Sequence, residues 1–251
     1  MDRIRIFEKI LLDKRSWISR WPKCAVFIYS GGMDSTVTMA RLLEEKKMEI
    51  FPLFINRGQS NLKYEKQASK FFEKYFKKNY GNLFHSLAEI AVNVPPREIK
   101  DQLRGYSAKF GYPLRNNILQ MIGVQYAISL SQELKQKINN VFCAQLGDDP
   151  FPHSKLISLR ATTVNICQSL DEWDWQVTSP NIDILLDKVK TGKKEMVWWA
   201  YEHHLPIEKT RSCYSNKETH CGTCLTCRRR REAFADAGLP DMTAYQGELT
   251  K

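Results

Sequence analysis

The 251-residue chain has a hydrophobic fraction of 43% and an aromatic fraction of 11%, which argue against a mainly disordered protein. Its apolar runs fall short of the roughly 20 residues that cross a bilayer, so we predict a cytoplasmic protein with no membrane partner. The formal net charge of +10 favours anionic partners such as nucleotides, although charge alone defines neither fold nor activity.

The first predicted element is an amphipathic helix within residues 1–23. This basic extension holds seven Lys or Arg and three acidic residues. Its apolar side chains, among them Ile6, Ile10 and Trp17, are spaced as on one face of a helix. A signal peptide needs an uninterrupted apolar core, and this segment has none.

Strands and helices then alternate along the chain. The pattern predicts strands at 25–29, 50–55, 83–92 and 141–144, and helices at 35–47, 64–76, 117–130 and 158–170. Such alternation is typical of βαβ units, which build an open, mostly parallel sheet with helices on both faces. We therefore predict an α/β domain over 24–192, followed by a helical and cysteine-rich region over 193–251.

A short loop after the first strand has the character of a phosphate site. It reads Ser30-Gly31-Gly32-Met33-Asp34-Ser35-Thr36 and opens directly into a predicted helix. The glycines permit a close backbone approach, and the first amides of the helix can face an anion. Asp34 can cap the helix or orient a Mg²⁺-bound water. The loop lacks the Lys of a Walker A motif, which suits an enzyme that holds pyrophosphate as a leaving group during attack on the α-phosphate.

This loop resembles the S-G-G-x-D-S signature of the PP-loop ATP pyrophosphatases, in the same strand–loop–helix setting. The resemblance implies an adenylating enzyme that uses ATP and Mg²⁺, with 24–192 as its ATP-binding domain. All seven loop residues are then candidates for binding ATP, and Asp34 and Ser35 are also candidates for catalysis. Phe54, in the second predicted strand, is a further candidate for the nucleotide site.

Four of the seven cysteines crowd together near the C-terminus, at Cys213, Cys221, Cys224 and Cys227. Two C-x2-C turns share Cys224, and Cys213 can complete a tetrahedral shell of four thiolates, which is typical of structural zinc. An iron–sulfur cluster is a weaker alternative, because ferredoxin motifs usually carry a Cys-Pro pair that is absent here. His220 is a weaker alternative to one of the four cysteines. The other three cysteines lie singly among apolar residues and are predicted to be buried.

A run of four arginines, Arg228 to Arg231, follows the cysteine motif. We interpret it mainly as a solvated face with donors to the thiolates, because no aromatic residues interleave with it as a base-stacking surface requires. Nucleic acid is accordingly not predicted as a partner.

The glycine loop and the cysteine motif together resemble the 7-cyano-7-deazaguanine synthase family (QueC, also ExsB). The resemblance runs from about Ala25 to Tyr245 and includes Arg115-Asn116 after a Pro-containing turn and Lys193-x-Glu195 at a helix start. It implies adenylation of the carboxylate of 7-carboxy-7-deazaguanine, transfer to ammonia, and a second ATP-dependent step to the nitrile. Arg115 and Lys193 are then candidates for balancing charge on the α-phosphate or the carboxylate.

Several stretches depart from the family pattern. Where the family has Tyr-Pro-Asp-Cys-Arg, this chain has Phe151-Pro152-His153-Ser154-Lys155, so His153 replaces an acid and Ser154 a cysteine. After the second strand, Arg57-Gly58-Gln59 replaces Gln-Arg-His. Ligands of open α/β sheets bind beyond the carboxyl ends of strands, so Asp148 to Lys155 should line the substrate pocket.

These departures leave the acceptor amine open. Diverged QueC-like proteins occur in bacterial antiviral operons (type IV CBASS among them), and resemblance to these implies a partner-protein amine instead of ammonia. Two weaker interpretations are a tRNA thiolase, with Cys143 as nucleophile, and a nucleic-acid-binding zinc protein without enzymatic activity. The oligomeric state, a homodimer included, is also open.

Overall fold

The computed structural model describes residues 3–246, so two residues of the predicted extension and the last five of the C-terminal region lie outside the described residues. The helices are α1 (Arg3–Leu12), α2 (Met33–Glu45), α3 (Leu62–Tyr80), α4 (Arg104–Phe110), α5 (Arg115–Leu134), α6 (Leu156–Leu170), α7 (Lys193–Glu202) and α8 (Leu225–Ala237). The strands are β1 (Cys24–Tyr29), β2 (Glu49–Asn56), β3 (Ala88–Ala91), β4 (Asn140–Phe142) and β5 (Gln176–Thr178). None of the helices in this part of the chain is long and apolar enough to cross a membrane.

The five strands form one parallel sheet in the order β3-β2-β1-β4-β5, which confirms the predicted α/β class. The chain steps from β1 to β2 and β3 on one side, and then returns to place β4 and β5 on the other. The connections that leave β1 and β4 therefore run in opposite directions. This divergence opens a crevice at the carboxyl ends of the two strands, where open α/β sheets bind their ligands.

Side chains of β1 alternate between two hydrophobic layers, as the period of a strand requires. Phe27 and Tyr29 belong to the layer that contains α2, α3, α7 and α8, whereas Val26 belongs to the layer that contains α1, α5 and α6. Helices thus cover both faces of the sheet. Cys24, Cys143 and Cys167 are buried, as predicted.

The amphipathic helix predicted within 1–23 corresponds to α1, which packs against α6. Leu11 is fully buried between them. Arg160 of α6 donates to both carboxylate oxygens of Asp183, at 2.9 and 2.8 Å, and lies 3.4 Å from Glu8 of α1. Ser19 also donates to Asp183, at 2.6 Å, so a buried ion pair ties the N-terminal segment to the sheet layer.

Two elements are absent from the sequence-based prediction, and one predicted strand is too long. Helix α4 and strand β5 were not predicted. The strand expected over 83–92 is limited to β3, because Gly81–Leu83 forms a 3-10 turn before it.

Candidate active site

A cavity of about 310 Å³ opens at the carboxyl ends of β1 and β4, where the connections diverge. Ile28 of β1 and Ser30 just after it line the cavity, and Cys143, Ala144 and Gln145 line it from the segment after β4. The remaining walls come from the starts of α2, α5 and α7, from residues 149–154, and from the cysteine-rich segment with α8. Elements distant in sequence therefore meet at one site.

The glycine loop is held against α3 by an unusually close approach. Gly31 has φ +72°, and a methyl group at this position would lie 2.7 Å from Ser69 Oγ and 2.8 Å from the Glu65 carbonyl oxygen. The backbone amide of Arg211 donates to the Gly31 carbonyl at 2.8 Å. Both the backbone conformation and the available space thus require glycine, and the loop is fixed between α3 and the cysteine-rich segment.

The first turn of α2 presents its amides to the cavity. Gly32 is the N-cap and has no side chain to bond these amides, so they remain available to an anion. The hydroxyls of Ser30 and Ser35 lie 3.0 Å apart, and Ser35 donates to the Gly32 carbonyl at 3.1 Å. These contacts order the loop around a space that suits phosphate oxygens.

The structure brings most, but not all, of the predicted nucleotide-binding residues to the cavity wall. Ser30, Gly32, Met33, Asp34 and Ser35 line it, together with Arg115 and Lys193.

Three predicted residues lie behind that wall instead. Gly31 faces α3, and Thr36 is fully buried with its hydroxyl 3.1 Å from the Tyr29 hydroxyl. Phe54 is 2% exposed within β2 and does not line the cavity.

Lys193 and Asp34 form an ion pair at the mouth of the glycine loop. Lys193 Nζ lies 2.6 and 2.5 Å from the two carboxylate oxygens of Asp34. Lys193 is the first residue of α7, and Glu195 fixes that helix start by accepting from the Gly192 amide at 2.8 Å. The pair places a cation beside the α2 amides, and a phosphate that attracts Lys193 would release Asp34 for a metal ion.

Arg115 supplies a second cation and has no ion pair with a carboxylate in the described chain. It begins α5, and its side-chain hydrogen bond runs to Asn116 Oδ1 at 3.4 Å. Burial and the neighbouring Arg57 lower the pKa of Arg115. Arg57 itself lies 3.6 Å from Glu65. An arginine that is partly desolvated and lacks a counterion is suited to receive an anionic ligand.

Part of the segment that departs from the family pattern, predicted over Asp148 to Lys155, forms one wall of the cavity. Asp149, Phe151, His153 and Ser154 all line it. The His153 ring stacks on Phe151 with centroids 5.4 Å apart. Burial and the charge of Arg115 lower the pKa of His153, so its imidazole is neutral at neutral pH.

Cys143 lines the cavity but is poorly suited to be a nucleophile. Burial raises the pKa of its thiol to about 12, so the thiolate is scarce at neutral pH. This environment argues against a thiolase mechanism based on Cys143.

The four clustered cysteines form a candidate metal centre. Their sulfur atoms all lie within 4.8 Å of one another, and the Cys221–Cys227 and Cys213–Cys224 pairs are each 4.0 Å apart. Tetrahedral zinc with bonds of about 2.3 Å places sulfur atoms about 3.8 Å apart, so the arrangement fits four-thiolate coordination. His220 is not part of this group, because its Nε2 accepts from the Ser212 amide at 3.2 Å.

Backbone amides support the sulfur atoms, as expected for thiolate ligands. The amides of Ser215 and Cys221 each lie 3.3 Å from the Cys213 sulfur, and the Cys224 amide lies 3.3 Å from the Cys221 sulfur. Tyr214, which directly follows Cys213, lines the cavity, as do Leu225 and Thr226, which lie between Cys224 and Cys227. A metal here would therefore hold one rim of the cavity in place.

The interpretation of Arg228 to Arg231 as a solvated face is wrong for most of the run. Arg229 binds Asp149 at 2.9 Å on the cavity wall. Arg230 is 1% exposed and donates to hydroxyl groups and to a backbone carbonyl, and Arg231 stacks over the Tyr245 ring at 4.0 Å. Consecutive positions on α8 point in different directions, so the four guanidinium groups reach different environments.

The sheet order, the glycine loop at the start of α2 and the position of the cavity define a PP-loop type of nucleotide-binding protein. The chain belongs to the QueC family: the family described as queuosine biosynthesis protein QueC matches residues 24–238. The resemblance inferred from the sequence is thereby confirmed.

Two relatives extend over nearly the whole chain. The 7-cyano-7-deazaguanine synthase of Thermoplasma volcanium is 28% identical, over 89% of this chain and 91% of the relative. That of Methanothermobacter thermautotrophicus is 27% identical, over 88% and 99%. Among solved structures, the U34-tRNA thiolase NcsA from Methanococcus maripaludis with its [4Fe-4S] cluster is 14% identical with a TM-score of 0.41, covering 99% of this chain and 83% of the thiolase. That similarity is too low to support an argument about function or metal.

Several cavity residues were not predicted as site residues. Gln120 follows Asn116 by one helical turn on α5, but the predicted helix began only at residue 117 and so did not place the two on one face. Gln145 follows a predicted strand by one residue. Arg229 carried no comparable signal, because a run of four arginines does not show which member turns inward.

Proposed function

We propose that this protein is an ATP-dependent ligase that adenylates the carboxylate of 7-carboxy-7-deazaguanine and passes it to ammonia, giving 7-cyano-7-deazaguanine. The observation that carries this proposal is the Arg115 guanidinium, which has no carboxylate partner among residues 3–246 and shares one cavity with the start of α2 and with Lys193. Such a cavity is suited to two neighbouring anions, a phosphate chain and a carboxylate. We propose 7-deazaguanine as the ring of the substrate because the relatives are 7-cyano-7-deazaguanine synthases.

The chemistry follows from the weakness of a carboxylate as an electrophile. A carboxylate oxygen attacks the α-phosphorus of ATP, pyrophosphate leaves, and an acyl adenylate forms. Ammonia then attacks the acyl carbon, and AMP leaves with one carboxylate oxygen. In a second round the amide oxygen attacks the α-phosphorus of another ATP and pyrophosphate leaves. AMP then departs with the amide oxygen, and loss of the two nitrogen-bound protons gives the nitrile.

Each of the cavity residues acts on a different part of the reactants, according to its position. The α2 amides, with Ser30 and Ser35, hold the pyrophosphate. Arg115 orients the carboxylate, and Lys193 balances charge at the α-phosphate. Asp34 would hold Mg²⁺, which when bound supplies positive charge to the leaving pyrophosphate. The four cysteines would hold zinc as a structural ion.

The test is pyrophosphate release by the full chain with ATP and 7-carboxy-7-deazaguanine, followed by mass spectrometry of the products formed with ammonium. We expect release to depend on the deazaguanine acid. Reactions with tRNA in its place, or with ATP alone, serve as controls and should release no pyrophosphate above background. Release that is equally fast without the acid would contradict the proposed substrate.

A second candidate function uses the same activation but a partner-protein amine as acceptor. The observation that favours it is the cavity wall at His153 and Ser154, where the family has an acid and a cysteine. A neutral His153 can take the proton that an alkylammonium group must lose before attack. Such an enzyme should stall at the adenylate or amide when only ammonium is supplied. Complete conversion to the nitrile at ordinary enzyme rates would rule this candidate out.

A further inference from the structure

We propose that Gln120 and Gln145 are the specificity-determining residues for the heterocycle, and that they select a ring edge with two adjacent N–H donors. That edge is the 2-amino-4-oxopyrimidine edge of a guanine-like ring. This inference rests on the proposed function and identifies the ring edge of the substrate that the protein recognises by hydrogen bonds.

The starting observation is a pair of unpaired acceptors in the cavity wall. Gln120 and Gln145 both line the cavity and are 2% and 8% exposed. The side-chain carbonyl oxygen of each has no hydrogen-bond partner among the described residues. A buried acceptor without a donor costs free energy, and a ligand that brings donors to both oxygens would recover it.

Cys143 sets the orientation of the Gln120 amide. Its protonated thiol lies 3.3 Å from the Thr178 carbonyl and donates to it, so the sulfur can accept from a second group. The Gln120 Nε2 approaches that sulfur at 4.0 Å. The amide nitrogen is thereby directed to the sulfur, and the carbonyl oxygen is left for another donor.

Gln145 is positioned by its backbone. Its carbonyl accepts from Ser179 Oγ at 2.8 Å, which joins the segment after β4 to the segment after β5. Gln145 stands two residues beyond Cys143, so the two glutamines flank the same thiol. Both glutamines thus line the cavity wall beside Cys143.

The apolar surface beside the glutamines suits a flat ring. A methyl group at Gly123 would lie 2.8 Å from Val141 Cγ1 and 3.4 Å from Ile28 Cδ1, so the glycine allows α5 to approach β1 and β4 closely. This approach brings Leu119 to the cavity together with Ile28 and Ala144. Aliphatic side chains next to hydrogen-bonding amides are typical of sites that bind heterocycles.

The two glutamine oxygens are both acceptors, and this distinguishes the deazaguanine ring of the substrate from the adenine ring of ATP. A guanine-like edge offers a ring N–H and an adjacent amino group, one donor for each oxygen. The adenine of ATP offers a single exocyclic amino group between ring nitrogens that are acceptors. Its ring nitrogens would face the glutamine oxygens without a proton between them, so the substrate ring is the better match.

The position of Arg115 agrees with this orientation. Gln120 follows Arg115 by five residues, which corresponds to about 7.5 Å along the axis of α5. In 7-carboxy-7-deazaguanine the carboxylate and the 2-amino group lie at opposite ends of the bicyclic ring. One substrate can therefore reach Arg115 with its carboxylate and the glutamines with its amino edge.

The experiment compares 7-carboxy-7-deazaguanine with its analogue that lacks the 2-amino group. We expect the wild-type protein to prefer the amino compound by about 100-fold or more in kcat/KM for pyrophosphate release, because an unpaired acceptor rejects the poorer ligand. Gln120→Leu and Gln145→Leu should each reduce that preference to about 10-fold or less, with the KM for ATP unchanged. Gln120→Glu keeps the acceptor and should retain the preference if the Leu variant does not fold.

The exposed Gln67→Leu on α3 is the matched control and should behave as wild type. A wild-type protein that uses both compounds equally, or Leu variants that keep the full preference, would overturn the inference. Leu variants with a raised KM for ATP and an unchanged preference for the 2-amino compound would also overturn it, since the glutamines would then bind adenine.

If the wild-type protein does not activate the deazaguanine acid, the proposed function fails but the inference is still tested. Calorimetric binding of 7-deazaguanine and of 7-deazahypoxanthine needs no reaction. A preference for 7-deazaguanine that Gln120→Leu and Gln145→Leu abolish supports the inference, and equal or undetectable binding of both rings contradicts it.

Discussion

Individual residues of the glycine loop either face the cavity or pack against their neighbours, and the structure separates the two groups. Ser30, Asp34 and Ser35 face the cavity, whereas Gly31 and Thr36 hold the loop against its neighbours. The sequence motif could not show this division, because it depends on the approach of α3 from a distant part of the chain. Phe54 is a similar case. The sequence places it in a strand, but it does not tell whether the side chain faces the cavity or is covered by a neighbouring layer.

Replacement of Asp34 or Ser35 by alanine should slow ATP-dependent pyrophosphate release by about 100-fold or more, because Ser35 would bind the leaving pyrophosphate and Asp34 would hold the Mg²⁺ that balances its charge. Thermal unfolding should change little, since both side chains line the cavity. Asp187→Ala is a matched control, because Asp187 pairs with Arg41 away from this cavity. Wild-type turnover in either loop variant would contradict the assigned role.

Gly31→Ala should destabilise the fold by about 2–4 kcal/mol, since it adds a methyl group that overlaps the Glu65 carbonyl and Ser69. Gly238→Ala isolates the cost of the backbone conformation, because Gly238 also has positive φ, at +66°, but open space around its Cβ. It should cost only about 1 kcal/mol. Urea unfolding of both variants measures the difference, and equal losses would refute the close approach of α3.

At the level of elements, the cysteine-rich segment is the part of the fold whose stability should depend most on a metal. Cys224→Ser should remove the metal and lower Tm by about 10 °C or more, because structural zinc contributes folding free energy directly. Elemental analysis should find about one zinc per wild-type chain. Cys24→Ala, outside the cluster, should retain the metal. Iron with acid-labile sulfide in the wild-type protein would contradict the zinc assignment.

Asp183 helps to attach α1 and the N-terminal segment to the sheet. The free energy of unfolding should therefore fall in acid, where this carboxylate becomes protonated. Burial alone would raise the pKa of this carboxyl, but hydrogen bonds from Arg160, Ser19 and Thr178 outweigh burial and lower it. The folded pKa is therefore below the unfolded value of about 3.9, so the stabilisation is complete above that pH and is lost as pH falls through the folded pKa.

Asp183→Asn should cost about 3–5 kcal/mol at pH 7, because it leaves the buried Arg160 without its charged partner. The difference in unfolding free energy between wild type and variant should shrink as pH falls below about 4. Urea titrations at several pH values test this. A difference that stays constant into the acid range would show that Asp183 is not stabilised as a carboxylate.

The sequence predicted the longer elements better than the short ones, for physical reasons. β5 is only Gln176–Thr178, and two of its three side chains are polar because they bind other segments. Gln176 donates to the Arg20 carbonyl, and Thr178 donates to Asp183. The contact with Arg20 joins positions 156 residues apart, and both contacts are polar, so a hydrophobic pattern could not reveal them. β1 was predictable because its apolar run is buried on both faces.

For the whole molecule, the cavity depends on segments that no local pattern joins. The glycine loop and the cysteine motif were each evident in the sequence. The sequence did not show that the cysteine-rich segment forms a wall of the cavity beside the glycine loop. The structure shows this convergence through the Arg211 amide, which donates to Gly31, and through Arg229, which binds Asp149. The glycine loop, residues 149–154 and the cysteine-rich segment thus meet at one cavity.

The central claim is that this site directs a carboxylate to the α-phosphate of ATP. The most direct measurement uses 7-carboxy-7-deazaguanine with ¹⁸O in its carboxylate, followed by mass spectrometry of the nucleotide products. The account predicts that label appears in the phosphate of AMP, because the acyl adenylate transfers a carboxylate oxygen to AMP when the amine attacks. Label in inorganic phosphate together with ADP would show attack at the γ-phosphate and would contradict the account.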